Sequence, residues 1–207
     1  MLTIIADGEE MNESDSPAII KKLKLEDWYA SLQKSDIVKL NRYLRQGLPS
    51  EPSDPSEFFR VLAKMANDDE NHEFAGQMAL EGLKREKGEL RIFRLNEELI
   101  EALVNLNASQ SAKKYCHESL DMFPRVCDHL KDENGGSLPK DMKCRNRLID
   151  ILVGIEKDYE AAYAALDTFL ERGLIDKTEW EYRRNSLKIH RLQRTFDGIY
   201  TLRPKEE

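Results

Sequence analysis

Residues 95–124, LNEELIEALVNLNASQSAKKYCHESLDMFP, decide the fold. Leu95, Leu99, Leu103 and Leu106 recur at the three- and four-residue intervals of one face of a 3.6-residue helix. Asn107 to Ser109 breaks that spacing, and Ala112, Cys116 and Leu120 resume it. Pro124 lacks the N–H that a helix interior needs, so the second helix is expected to end before it. Two amphipathic helices joined by so short a turn lie antiparallel, and neither buries its apolar stripe alone. The stretch therefore predicts a helical hairpin that requires neighbours.

Working outward, both flanks repeat the design. Upstream, Asp54 is placed to cap a helix, Pro55 suits its first position, and Glu57 completes a capping-box spacing. Phe58, Phe59, Leu62 and Met65 form the stripe that follows. Asp68, Asp69, Glu70 and Asn71 interrupt it, Phe74, Ala75, Met78, Ala79 and Leu83 form the next, and Gly88 closes the pair. Further back, Ile19, Ile20, Leu23, Leu25, Trp28, Tyr29 and Leu32 read as one helical face. Ser35-Asp36 then opens a helix carrying Ile37, Leu40, Tyr43 and Leu44, which Gly47 and Pro49 end. Downstream, Leu148, Ile149, Leu152 and Ile155 precede Tyr159, Ala161, Ala162, Ala165, Leu166 and Phe169, closed by Gly173. Asp176 and Glu179 set another capping box for a last helix through Trp180, Leu187 and Leu192.

The pairs superimpose. Leu62, Ala75 and Leu83 map onto Leu99, Ala112 and Leu120 after a shift of 37 residues, and Leu148, Ala161 and Phe169 keep the same internal spacing. Self-similarity at such a period marks a helical solenoid. The chain here resembles the tetratricopeptide repeat family, whose pairs recur about every 34 residues. The resemblance covers residues 57–170 and is strongest at Ala112 to Pro124 and at Asp158-Tyr159-Glu160-Ala161; Ala63, Ile100 and Ile149 stand where the family has a small residue. It implies an all-α fold, an α-α superhelix or right-handed solenoid of antiparallel helix pairs. The expected organisation is an acidic disordered tail over 1–17 and one helical-repeat domain over 18–204. Within that domain a helix pair spans 18–48, repeats span 55–88, 92–124 and 142–173, and a capping helix spans 176–202.

Composition agrees. Hydrophobic residues make up 40% of the 207 and charged residues 34%, enough for a core under a charged surface. Ten Gly and seven Pro are too few for the turns of an all-β chain this long. A net charge of -7 argues against generic binding to nucleic acid or anionic membranes. No run approaches the roughly 20 apolar residues of a membrane span. The opening Met1-Leu-Thr-Ile-Ile lacks the length and basic flank of a signal peptide. Three cysteines with no export signal are expected as free thiols in the cytoplasm.

In the tetratricopeptide family the first helix of each pair lines a concave groove that often holds an extended peptide. The resemblance implies that the groove here presents Arg60, Lys64, Asn67, Arg94, Glu97, Glu101, Asn105, Lys143, Asn146 and Asp150, and that the chain is a non-enzymatic scaffold binding a protein or peptide. A solvated charged face is the plainer account of the same residues. The alternative function rests on the basic face of the last helix, Arg184, Lys188, Arg191 and Arg194, which suits nucleic acid or another phosphate ligand. Against it, those arginines have acids such as Glu160 and Glu171 to pair with. A regulatory subunit of a larger enzyme complex stays open as well.

No metal or cofactor is expected. Cys127 and His129 are spaced too tightly for zinc, and Cys116 lies on an apolar stripe. None of the four histidines has Glu three residues before it, as di-iron bundles require, and no phosphate-loop, dinucleotide or serine-hydrolase motif occurs. The stretch Lys131 to Asp141 is long for a helix connection, either a binding loop or a tolerated insertion.

Overall fold

The computed structural model describes residues 17–201, with side chains described through Arg194. The acidic tail expected over 1–17 lies outside this range except for Pro17. Every regular element among the described residues is helical: α1 (Ala18–Lys22), α2 (Glu26–Ser31), α3 (Lys34–Gln46), α4 (Pro55–Asp68), α5 (His72–Leu83), α6 (Glu89–Asn105), α7 (Ser109–Glu133), α8 (Lys143–Asp150), α9 (Tyr159–Glu171) and α10 (Lys177–Thr201). A π-helical turn, Ile151–Ile155, continues α8 and buries three consecutive apolar residues, Ile151, Leu152 and Val153. None of the described helices is long and apolar enough to cross a membrane.

The helix ends follow their local chemistry. Asp54 accepts the Glu57 backbone N–H at 3.0 Å, with Pro55 at the first helical position. Asp158 and Asp176 do the same for Ala161 and Glu179, at 2.9 and 2.7 Å. In the expected capping box at α4, Glu57 does not reach back to the cap; its carboxylate holds Arg60 at 2.8 Å. Gly173 closes α9 in the left-handed region (φ 71°), which lets the Leu174 N–H reach the Phe169 carbonyl at 2.8 Å.

Packing runs along the chain. α4 packs on α5, α5 on α6, α6 on α7 and α7 on α8, while α4 also touches α6 and α6 also touches α8. The first helices of successive pairs are thus neighbours. One apolar cluster joins α1–α5 to Leu99 and Ala102 of α6; a second joins Phe93 and Ile100 of the same helix to α7–α10. Trp28 closes the first, its ring edge-on to Phe59 at 4.7 Å, and Tyr43 stacks on Phe74 at 5.6 Å.

Four expectations change. The single face from Ile19 to Leu32 is two short helices, because Lys24 adopts a left-handed φ of 55° and turns the chain so that both Leu23 and Leu25 are buried. The α3 helix begins at Lys34, with no side-chain cap from Ser35 or Asp36. α7 does not end before Pro124 but continues to Glu133. Phe123, Val126 and Leu130 extend its buried stripe, and the Leu120 carbonyl, which Pro124 cannot bond, accepts from Arg172 Nη1 at 2.7 Å. The 92–124 boundary and the Lys131–Asp141 loop shift accordingly, the irregular segment starting only after Glu133. In the third pair, Ala162 is fully buried and Ala161 only partly. The buried series Ala75–Ala79 and Ala112–Cys116 therefore continues as Ala162–Leu166, one residue later than the spacing suggested.

Candidate functional site

A cleft of about 330 Å³ lies among α4, α6 and the start of α8, lined by Lys64, Asn67, Asp68, Glu97, Glu98, Glu101, Asp141 and Lys143. Each of the three helices brings one edge of its polar side. Five carboxylates face two ammonium groups, so the cleft is acidic.

Glu97 is the innermost group. Its two oxygens accept the backbone N–H groups of Lys143 and Cys144, the latter at 2.8 Å. These are the first unpaired donors of α8, and Met142 at the cap position has no side chain able to serve them. Glu97 thus caps α8 from a different helix, with its negative charge at the positive end of the helix dipole. Burial pushes its carboxyl up to about 7, against the downward pull of those donors. Burial likewise raises Glu98 above the usual carboxylate range, although Asn67 Nδ2 donates to it at 3.2 Å and also to its backbone carbonyl at 2.9 Å. Glu101 differs. Burial pushes it up as well, but the Arg147 guanidinium, donating to both oxygens at 2.6 and 2.9 Å, holds it below the ordinary value. On α6 the cleft therefore holds two carboxyls that lack a full cationic partner beside one that has it.

Of the ten expected groove residues, Lys64, Asn67, Glu97, Glu101 and Lys143 line the cleft. The other five do not. Arg60 is tied to Glu57, and Arg94 forms an ion pair with Glu133 beyond Pro124. Asn105 Nδ2 donates to the Glu101 carbonyl at 2.9 Å, Asn146 accepts from Arg183 at 3.1 Å, and Asp150 accepts from Arg147 at 3.1 Å. Sequence reasoning missed Asp68, Glu98 and Asp141. Asp68 and Asp141 sit at helix boundaries, where acids read as caps, and Glu98 follows a residue already assigned to the face.

The basic face of α10 is largely spoken for. Arg184 pairs with Asp167 at 2.8 Å and lies over the rings of Tyr163 and Trp180. Arg191 pairs with Glu160 at 2.7 Å, while Lys188 and Arg194 are exposed. Among the described residues, no three His, Cys, Asp or Glu side chains gather in an arrangement able to hold a metal ion. Burial pushes the Cys116 thiol up to about 12 and raises Cys144 well above its ordinary value, so neither offers a thiolate at neutral pH. The three cysteines are unbridged. No protein-family model matches the chain, and no curated protein or solved structure is found to be similar to it.

Proposed function

We propose that this chain is a non-enzymatic interaction module, a tetratricopeptide-like stack of helix pairs. Its partner's basic segment lies in the cleft that α4, α6 and α8 line. The observation that carries the proposal is the charge of that cleft: Asp68, Glu97, Glu98, Glu101 and Asp141 against Lys64 and Lys143. Two of these carboxyls are held above their ordinary values by burial, and a lysine or arginine from a partner would return them to the ionised form. Binding and deprotonation are then coupled, and the site selects cations over neutral or acidic segments. The nucleic-acid alternative has less support, because Arg184 and Arg191 already hold acids of α9.

The test reverses charge at the rim without touching the core. Asp68 and Asp141 are both exposed, so Asp68→Lys/Asp141→Lys is expected to fold normally by circular dichroism. In affinity purification from the native host under cytoplasmic salt, the variant is expected to lose the protein that wild type retains, and that protein is expected to carry a basic segment. Identical captures by both forms, or recovery of nucleic acid in place of protein, would refute the assignment.

A further inference from the structure

A second cavity, about 510 Å³, lies where the segment before α8 meets the α9–α10 turn, and it shares no lining residue with the acidic cleft. Its charge is the reverse. Lys131, Lys140, Arg145 and Arg183 line it, opposed by Asp176 and Glu179, with Leu174 and Ile175 among its apolar walls. We propose that this cavity binds a small organic anion through a phosphate or carboxylate group, with Lys131 and Lys140 as the mobile contacts and Arg145 as the fixed charge behind them.

Arg145 carries the argument. It is 3% exposed, the one cation among the buried residues described. Its Nη1 donates to the Leu174 carbonyl at 2.6 Å and its Nη2 to the Lys140 carbonyl at 2.8 Å, while Nε has no hydrogen-bond partner. The nearest carboxylate, Glu179, is 3.6 Å from Nη2 and is itself held by Arg183 at 2.7 Å. A buried cation costs several kcal/mol unless an anion compensates it, and carbonyl dipoles with a shared carboxylate do so only in part. Consistent with that, burial lowers the Arg145 pKa below the usual arginine value. Asp176 caps α10 through the Glu179 N–H, and the carboxylate that approaches Arg145 within ion-pair distance is Glu179. Four cations against two carboxylates leave room for one more negative group. The two carbonyls that Arg145 holds join the 134–142 segment to the chain after Gly173, so an anion here would also tighten that connection.

The test uses the full chain and three titrants at matched ionic strength: inorganic phosphate, citrate and chloride. Isothermal calorimetry and amide chemical shifts are expected to report saturable 1:1 binding of phosphate or citrate, with the shifts centred on Lys140, Leu174 and Ile175, and none with chloride. Whichever of the two binds identifies the group as phosphate or carboxylate. Lys131→Ala/Lys140→Ala leaves the buried Arg145 in place and is expected to weaken binding roughly tenfold, from the loss of two ion pairs at a half-buried and an exposed lysine. Failure of both anions to saturate, or equal affinity in the double variant, would overturn the proposal and leave Arg145 as a tie between two loops.

Discussion

Replacing Glu97 with Gln tests whether a buried carboxyl on α6 governs the start of α8. The folded carboxyl titrates at about 7, against 4.5 in the ordinary state. Each unit corresponds to about 1.4 kcal/mol, so the shift is worth about 3 kcal/mol. The sign follows from which state binds the proton. Below pH 4.5 both states are protonated and the group has no effect. Between 4.5 and 7 the unfolded chain ionises while the folded one does not, and stability falls. Above 7 both are ionised and the loss is complete. Glutamine stays neutral and removes this slope, but it leaves one of the two α8 donors facing an NH₂ group, a cost of about 1–2 kcal/mol at every pH. Urea unfolding followed by ellipticity and by the fluorescence of Trp28 and Trp180 is thus expected to show wild type losing stability more steeply from pH 5 to 8 than Glu97→Gln, which keeps only the slope that Glu98 contributes. The two curves cross between about pH 5 and 6, where the loss in wild type equals the cost of the glutamine, and wild type is the less stable form above that. Parallel curves across that range would refute the account and place the missing charge balance elsewhere.

Two further outcomes follow from packing. A Cβ at Gly82 would sit 2.6 Å from Leu95 Cδ2 and 3.2 Å from Phe59 Cβ, whereas one at Gly76 meets Ala102 Cβ at an ordinary 3.7 Å. Gly76→Ala is expected to stabilise by about 0.5–1 kcal/mol through helix propensity, while Gly82→Ala loses that gain to about 1–3 kcal/mol of overpacking, a difference read directly from urea midpoints. Arg172→Ala is expected to cost about 1–2 kcal/mol by stranding the Leu120 carbonyl, and adding Pro124→Ala restores most of it, since the new N–H bonds the same oxygen; additive effects in that double-mutant cycle would show that the two residues are not coupled.

What the chain reveals on inspection depends on the range of the interaction. The caps at Asp54, Asp158 and Asp176 act on an N–H three residues away, and the left-handed stop at Gly173 acts within one turn; these are legible from neighbours alone. Pro124 misleads for the opposite reason. Its local cost is real, but the remedy comes from Arg172, which is distant in sequence and has no motif to announce it. Glu97 is similar: it was expected on the groove face and does line the cleft, yet its capping of α8 is visible only once α6 and α8 are neighbours. The Ala161–Ala162 slip arises because both residues are small and either fits the pattern, so only packing against the second core chooses between them. Arg145, within the segment Lys143–Arg147, gives no local sign that it is buried while the other two cations, Lys143 and Arg147, are not.

Ion pairing in the cleft also bears on what a ligand displaces. Lys64 and Asp68 pair at 2.9 Å one turn apart on α4, with both side chains more than half exposed. Such a pair contributes about 0–1 kcal/mol, so a partner cation can take Asp68 at little cost and leave Lys64 to water. Glu101 and Arg147 form a two-bonded pair between α6 and α8, in which neither side chain is more than about a third exposed, and separating them costs more. A cationic partner therefore meets a graded site, with Asp68 and Asp141 paired only to exposed or half-buried lysines at the rim, Glu98 and Glu97 short of positive charge inside, and Glu101 held to the structure. Binding strength then depends on how deeply the cation reaches, which makes Glu98→Gln the more damaging of two single changes and Glu101→Gln primarily a loss of the α6–α8 connection.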